Sequence, residues 1–256
     1  MTPHPFDHVA FVMLAAILPI WDYFFIRKRE ARIRAGEAGA RLGFYRRVIG
    51  EQWATTLVLL VVWFALGRDA TSIGFVPRPG LHVWTGYVLT ALICATLIFQ
   101  AVTIVRKPNS LATARGKLAS LSFVIPQTPS ERRAFDAVSV TAGICEEILF
   151  RGYAVAYLTA AFGATFWVAG LLSSLVFGVA HAYQGVAGAS RSALVGLMFF
   201  LLYALTGSLW APMLAHAVMD ITSGRIGYAA YTETPVPRLP PPGTTAPSVL
   251  RPGVSD

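Results

Sequence analysis

Six ionisable side chains fall inside apolar runs of the C-terminal half of this 256-residue chain: Glu146, Glu147, Arg151, His181, His216 and Asp220. Each costs about 2.5–3.5 kcal/mol at the centre of a membrane helix, so such groups usually serve a function. Their spacing sorts them. Glu147 and Arg151 are four residues apart with the acid N-terminal, the favourable order for a pair on one helix face. Glu146 is rotated by about 100° from Glu147 and has no local cation. It must find a partner on another helix or take up a proton, and an unpaired, desolvated carboxylate suits a general base. This reading assigns Glu147 and Arg151 to bracing and Glu146 to chemistry; the bland alternative is that both acids only lock helices together.

The other three follow the same logic. In FGVAH, Phe177 lies one turn before His181, and Gly170, Ser174 and Gly178 make a small-residue stripe along which another helix could approach closely. His181 could equally be a hydrogen-bonded packing residue. In HAVMD, His216 and Asp220 share a face, where the acid could orient an imidazole, polarise water or bind a metal. Pro212, four residues before His216, frees the carbonyl of Ser208 and is expected to bend the helix toward the cavity.

What must hold these groups is a membrane bundle. The chain is 55% hydrophobic and 13% charged, with a mean hydropathy of +0.58, about half the charge usual for soluble domains. Seven spans are expected near 8–26, 52–66, 81–105, 134–161, 164–183, 189–206 and 208–230. The first is interrupted by Pro19 and Asp22, and the second is short. The expected architecture is an all-α polytopic bundle with a four-helix catalytic core in its C-terminal half. Residues 1–133 would supply N-terminal spans and basic linkers, 134–231 the core, and 232–256 a Pro-rich disordered tail.

The net charge of +8 is explained without nucleic acid. Eight Lys/Arg fall in 27–47 and six in 106–133, against only Arg68 and Arg78 in the loops of opposite side. That asymmetry places the N-terminus outside and the C-terminus inside, with basic loops against anionic lipid. Within the second basic stretch, Leu118, Leu121 and Phe123 suggest an interfacial helix, and Ser130 is the expected N-cap of the fourth span. Cys94 and Cys145 read as small buried residues, since no zinc-type spacing surrounds them.

In this order on three helices, EEILFR, FGVAH and HAVMD resemble the CPBP superfamily, which joins type II CAAX prenyl endopeptidases to bacteriocin-processing and immunity proteins (Abi-like). The resemblance covers about 134–224. It implies an intramembrane endopeptidase in which Glu146 and His181 activate water while His216 and Asp220 stabilise the oxyanion or bind metal. Glu147, Arg151 and Phe177 would support them. Zinc held by Glu146, His181, His216 and Asp220 is an expectation with an equally arguable metal-free alternative. The expected partners are membrane lipids and a peptide or lipid-anchored protein substrate, in a bacterial cytoplasmic membrane. A non-enzymatic immunity or scaffold protein is the alternative; a proton-coupled transporter lacks the inverted repeats and paired broken helices it should have.

Overall fold

A computed structural model describes residues 2–77 and 82–233. Among them there is no strand, and eight helices carry the fold. These are α1 (Pro5–Arg34), α2 (Ala40–Ala65), α3 (Val83–Val105), a short α4 (Pro108–Lys117), α5 (129–162), α6 (Phe166–Ala180), α7 (Val186–Thr206) and α8 (Trp210–Thr232). The Pro-rich tail and Arg78, both used in the sequence reading, lie outside the described residues.

Seven of these helices correspond to the seven expected spans, with corrected limits. Pro19 does not break α1. It has no N–H for the carbonyl of Ala15, and the helix absorbs the defect by widening into a π turn at Met13–Ile17. α2 is long rather than short, because the basic stretch after Gly39 is already helical. α5 starts earlier than expected: Thr128, not Ser130, is its cap, and Thr128 and Glu131 form a reciprocal capping box. The helix of the second basic stretch is α4, upstream of the expected position; Ala119–Leu121 make only a 3₁₀ turn. Pro212 lies in the first turn of α8, where its missing N–H is harmless, so it bends nothing.

Four helices are long and apolar enough to cross a bilayer by length and composition: α1, α2, α3 and α7. Only 17% of the most apolar window of α1, α2 and α3, and 33% of that of α7, is buried within the bundle. Phe24, Val61, Phe99 and Leu194 point outward. Apolar side chains facing away from the core require an apolar surround, so this is an integral membrane protein. Those that fall short include α5 and α8, which carry the buried polar groups, and α6, which has only 15 residues.

One end of the bundle gathers the basic segments. Arg34 reaches Ser122 and the Ser120 carbonyl, Arg41 pairs with Glu131, and the Tyr45 hydroxyl donates to the Val124 carbonyl. At the far end Arg68 grips buried Asp7 through both guanidinium nitrogens at 2.6 and 2.8 Å, and the Tyr153 hydroxyl donates to the Asp7 carbonyl. The loop after α2 enters the bundle here, burying Ile73 and letting the Gly74 carbonyl accept from Leu209 N–H beside the start of α8.

Small residues set how closely the helices cross. A Cβ on Gly143 would sit 2.9 Å from the Ala217 nitrogen and 3.0 Å from the Met213 carbonyl, so α5 and α8 touch through their backbones. Gly178 meets the Ala189 carbonyl and Ala193, and Gly170 lies under the Phe200 ring, so the small-residue stripe of α6 does receive a neighbouring helix, α7. Gly143→Val should therefore force α5 from α8 and lower stability by about 1–3 kcal/mol. Gly116→Ala, facing open space in α4, should be nearly neutral; unfolding curves of the two variants in detergent check this.

Candidate active site

Midway along α5 the α-helix gives way to a π turn at Ile148–Ala154, every residue of which is buried. Glu147 immediately precedes this turn and Arg151 lies within it. Both are almost completely buried, and Arg151 Nη1 donates to Glu147 Oε1 at 2.9 Å. Arg151 Nη2 donates to the Gly196 carbonyl on α7 at 2.9 Å, and its guanidinium lies 4.5 Å from the centre of the Phe177 ring. Position 196 must be small, since a Cβ there would stand 3.0 Å from that nitrogen and 3.1 Å from Phe177. Glu147 and Arg151 are thus paired as their spacing suggested, with the Phe177 ring against the guanidinium.

Glu147 does a second thing that its spacing did not announce. The same Oε1 accepts from His216 Nδ1 on α8 at 2.8 Å. An ionised carboxylate can only accept, so Nδ1 carries the proton and Nε2 is turned away from Glu147. Phe199 of α7 stacks on the imidazole, with ring centres 4.7 Å apart and planes at 21°. His216 is thus fixed by a hydrogen bond at one edge and an aromatic ring on one face.

Nε2 of His216 lies 3.8 Å from Glu146 Oε2 and 3.6 Å from Asp220 Oδ2. Glu146, rotated away from Glu147, finds its partner on another helix as anticipated, though that partner is neutral: Gln52 Nε2 donates to Oε1 at 2.7 Å. The other oxygen, Oε2, is buried and makes no hydrogen bond. His181 is the C-cap of α6, where its Nδ1 meets the Phe177 carbonyl at 2.8 Å. A carbonyl can only accept, so here too Nδ1 holds the proton and Nε2 is left free.

Glu146, His181, His216 and Asp220 all line one cavity of about 700 Å³. Most of its wall is apolar, including Leu14, Leu18, Phe25, Phe44 and Val48 from α1 and α2. It extends to Leu121, Tyr183 and Arg191 at the basic end of the bundle. The structure therefore brings together every residue singled out for chemistry. Cys145 is fully buried and does not line the cavity.

The donor set fits zinc less well. Among the described residues no group of three or more His, Cys, Asp or Glu side chains is disposed to hold a metal ion. The four residues expected to hold zinc do not make up such a group.

Residues 133–222 match the family model of Rce1-like type II CAAX prenyl endopeptidases. The Rce1-like segment runs from the first turns of α5 into α8 and contains all three motifs and every site residue except Gln52. The family is one of CAAX-type intramembrane endopeptidases. Neither curated proteins nor solved structures yielded a match.

Three contributors escaped the sequence reading. Gln52 lies in an N-terminal helix outside the Rce1-like segment, and nothing local distinguishes it from a surface amide. Phe199 and Gly196 are unremarkable in an apolar run. Only Arg151, which needs more acceptors than Glu147 supplies, hinted that a carbonyl on another helix must approach.

The brace and the free carboxylate should separate in mutants. Arg151→Met leaves Glu147 and His216 buried without their cation and is expected to cost roughly 3–5 kcal/mol. Glu146→Gln, which removes a group bonded only to an amide, should unfold close to wild type. Denaturation of both variants in the same detergent reads the difference.

Proposed function

We propose that this protein is an intramembrane endopeptidase that hydrolyses a peptide bond of a membrane-associated or lipid-anchored substrate, of the CAAX-processing or bacteriocin-processing kind. The observation that carries this reading is the Glu146 carboxylate. One oxygen is held by Gln52, the other is buried and makes no hydrogen bond, and the side chain lines a cavity shared with two imidazoles.

In the proposed step a water enters between Glu146 Oε2 and His181 Nε2. Glu146 takes its proton as the oxygen attacks the scissile carbonyl carbon, and His181 holds the water by accepting its second hydrogen. Negative charge develops on the carbonyl oxygen. His216 meets it as an imidazolium, its Nδ1–H held by Glu147, its ring stacked on Phe199 and its Nε2–H directed at the oxyanion, with Asp220 Oδ2 3.6 Å from that nitrogen adding to the field that keeps the ring charged. As the tetrahedral intermediate collapses, the C–N bond breaks and Glu146 passes its proton to the leaving amine. The apolar wall supplied by α1 and α2 suits a substrate that arrives with its own hydrophobic segment or lipid chain.

Removing the base should be decisive. Glu146→Ala, Glu146→Gln and His181→Ala, each folded and membrane-inserted, are expected to lose about 10²–10⁴-fold in cleavage rate on a responsive lipidated peptide. Wild-type rates in these variants would overturn the assignment. The metal-free step is tested separately. Dialysis of wild type against a strong zinc chelator should leave the rate unchanged, whereas loss of activity restored by added zinc would reinstate a metal centre.

A further inference from the structure

A second cavity of about 630 Å³ lies on the opposite side of α8 from the candidate active site. Its position follows from helix geometry. Val218 and Arg225 are rotated by roughly 180–200° from His216, so they face away from the first cavity. α3 supplies the facing wall through Ile98, Val102 and Arg106, and Arg132 on α5 closes the basic end.

The charges in this groove are one-sided. Arg106, Arg132 and Arg225 are exposed, none makes an ion pair with a carboxylate among the described residues, and only Glu233 opposes them along the wall. Arg132 lies 5.1 Å from the centre of the Tyr228 ring, which holds its guanidinium at the groove. Toward the middle of the bundle the wall becomes apolar and open: Ile98 and Val102 are 50% and 42% exposed. Arg106 is eight residues beyond Ile98, roughly 12 Å along the helix. The groove thus runs from a cluster of guanidinium groups at the basic end to an apolar trough facing the bilayer.

We propose that this groove binds an anionic phospholipid, the phosphate held by Arg106, Arg132 and Arg225 and one acyl chain lying along α3 and α8. Charge complementarity selects the headgroup, and the apolar trough selects a lipid over a water-soluble phosphate. An unpaired arginine cluster between transmembrane helices at the basic end is a fitting recess for such a headgroup. A zwitterionic lipid offers the same chains without net charge. Because α8 also carries His216 and Asp220, an occupant on its reverse face would hold in place the helix that presents them.

The experiment uses the full chain in detergent, titrated with phosphatidylglycerol, phosphatidylcholine or inorganic phosphate while thermal unfolding is followed. Two net positive charges predict a roughly thirtyfold preference for phosphatidylglycerol over phosphatidylcholine. Inorganic phosphate should give no comparable rise in Tm. R106Q/R132Q/R225Q should abolish the preference, while R27Q/K28Q/R46Q, on the basic segment at α1 and α2, should keep it. Equal responses to the two lipids, a triple groove variant that still prefers phosphatidylglycerol, or equal loss in both triple variants would each overturn the proposal. A photoactivatable phosphatidylglycerol on the unmodified protein gives an independent readout: crosslinks should concentrate between 98 and 106 and between 218 and 229, and their absence there would also overturn it. None of these readouts depends on proteolysis, so the lipid site and the protease reading can fail separately.

Discussion

A guanidinium, a carboxylate and an imidazole meet in the interior of this bundle, and the site depends on how they satisfy one another. Glu147 Oε1 accepts from Arg151 at 2.9 Å and from His216 at 2.8 Å, with all three groups nearly inaccessible. Removed from water, any one of them left unpaired would cost several kcal/mol. Three helices are tied as a result: α5 supplies the acid and the cation, α7 a carbonyl at Gly196, and α8 the imidazole. Even the packing obeys this constraint, since Phe177 and Phe199 cover the guanidinium and Phe199 also stacks on the His216 ring.

With Glu147 committed, its neighbour is released. One residue along the helix turns a side chain by about 100°, enough to send Glu146 into the cavity while Glu147 stays in the brace. The two adjacent acids therefore divide their work by direction alone. Gln52 completes the division: it donates to one oxygen of Glu146 without neutralising the carboxylate, and the other oxygen makes no hydrogen bond. A cation in place of Gln52 would have made a second ion pair.

The membrane sets the frame for these interactions. Apolar side chains of α1, α2, α3 and α7 face outward, leaving polar residues to the rods that surround the cavity. The Asp7–Arg68 pair and the loop through Ile73 secure one end, and the basic segments fold against Glu131 and the carbonyls of residues 120–124 at the other. The apolar cavity extends to Leu121, Tyr183 and Arg191 at that basic end.

The sequence alone determined whatever depends on a single helix. Composition required a membrane bundle, the i, i+4 spacing paired Glu147 with Arg151 and placed His216 with Asp220, and helical rotation separated Glu146 from its neighbour. Those features follow from the 3.6-residue repeat, which is local. Only the tertiary structure decided which groups meet across helices: His216 bonding Glu147, Gln52 holding Glu146, Phe199 covering the imidazole and Gly196 offering its carbonyl. The π turns, the continuity of α1 through Pro19 and the position of Pro212 in a first turn were likewise undecided, because backbone defects are absorbed according to what packs around them. Spacing along one chain fixes an angle about one axis; the distance between two axes comes from side chains and small residues that lie far apart in sequence.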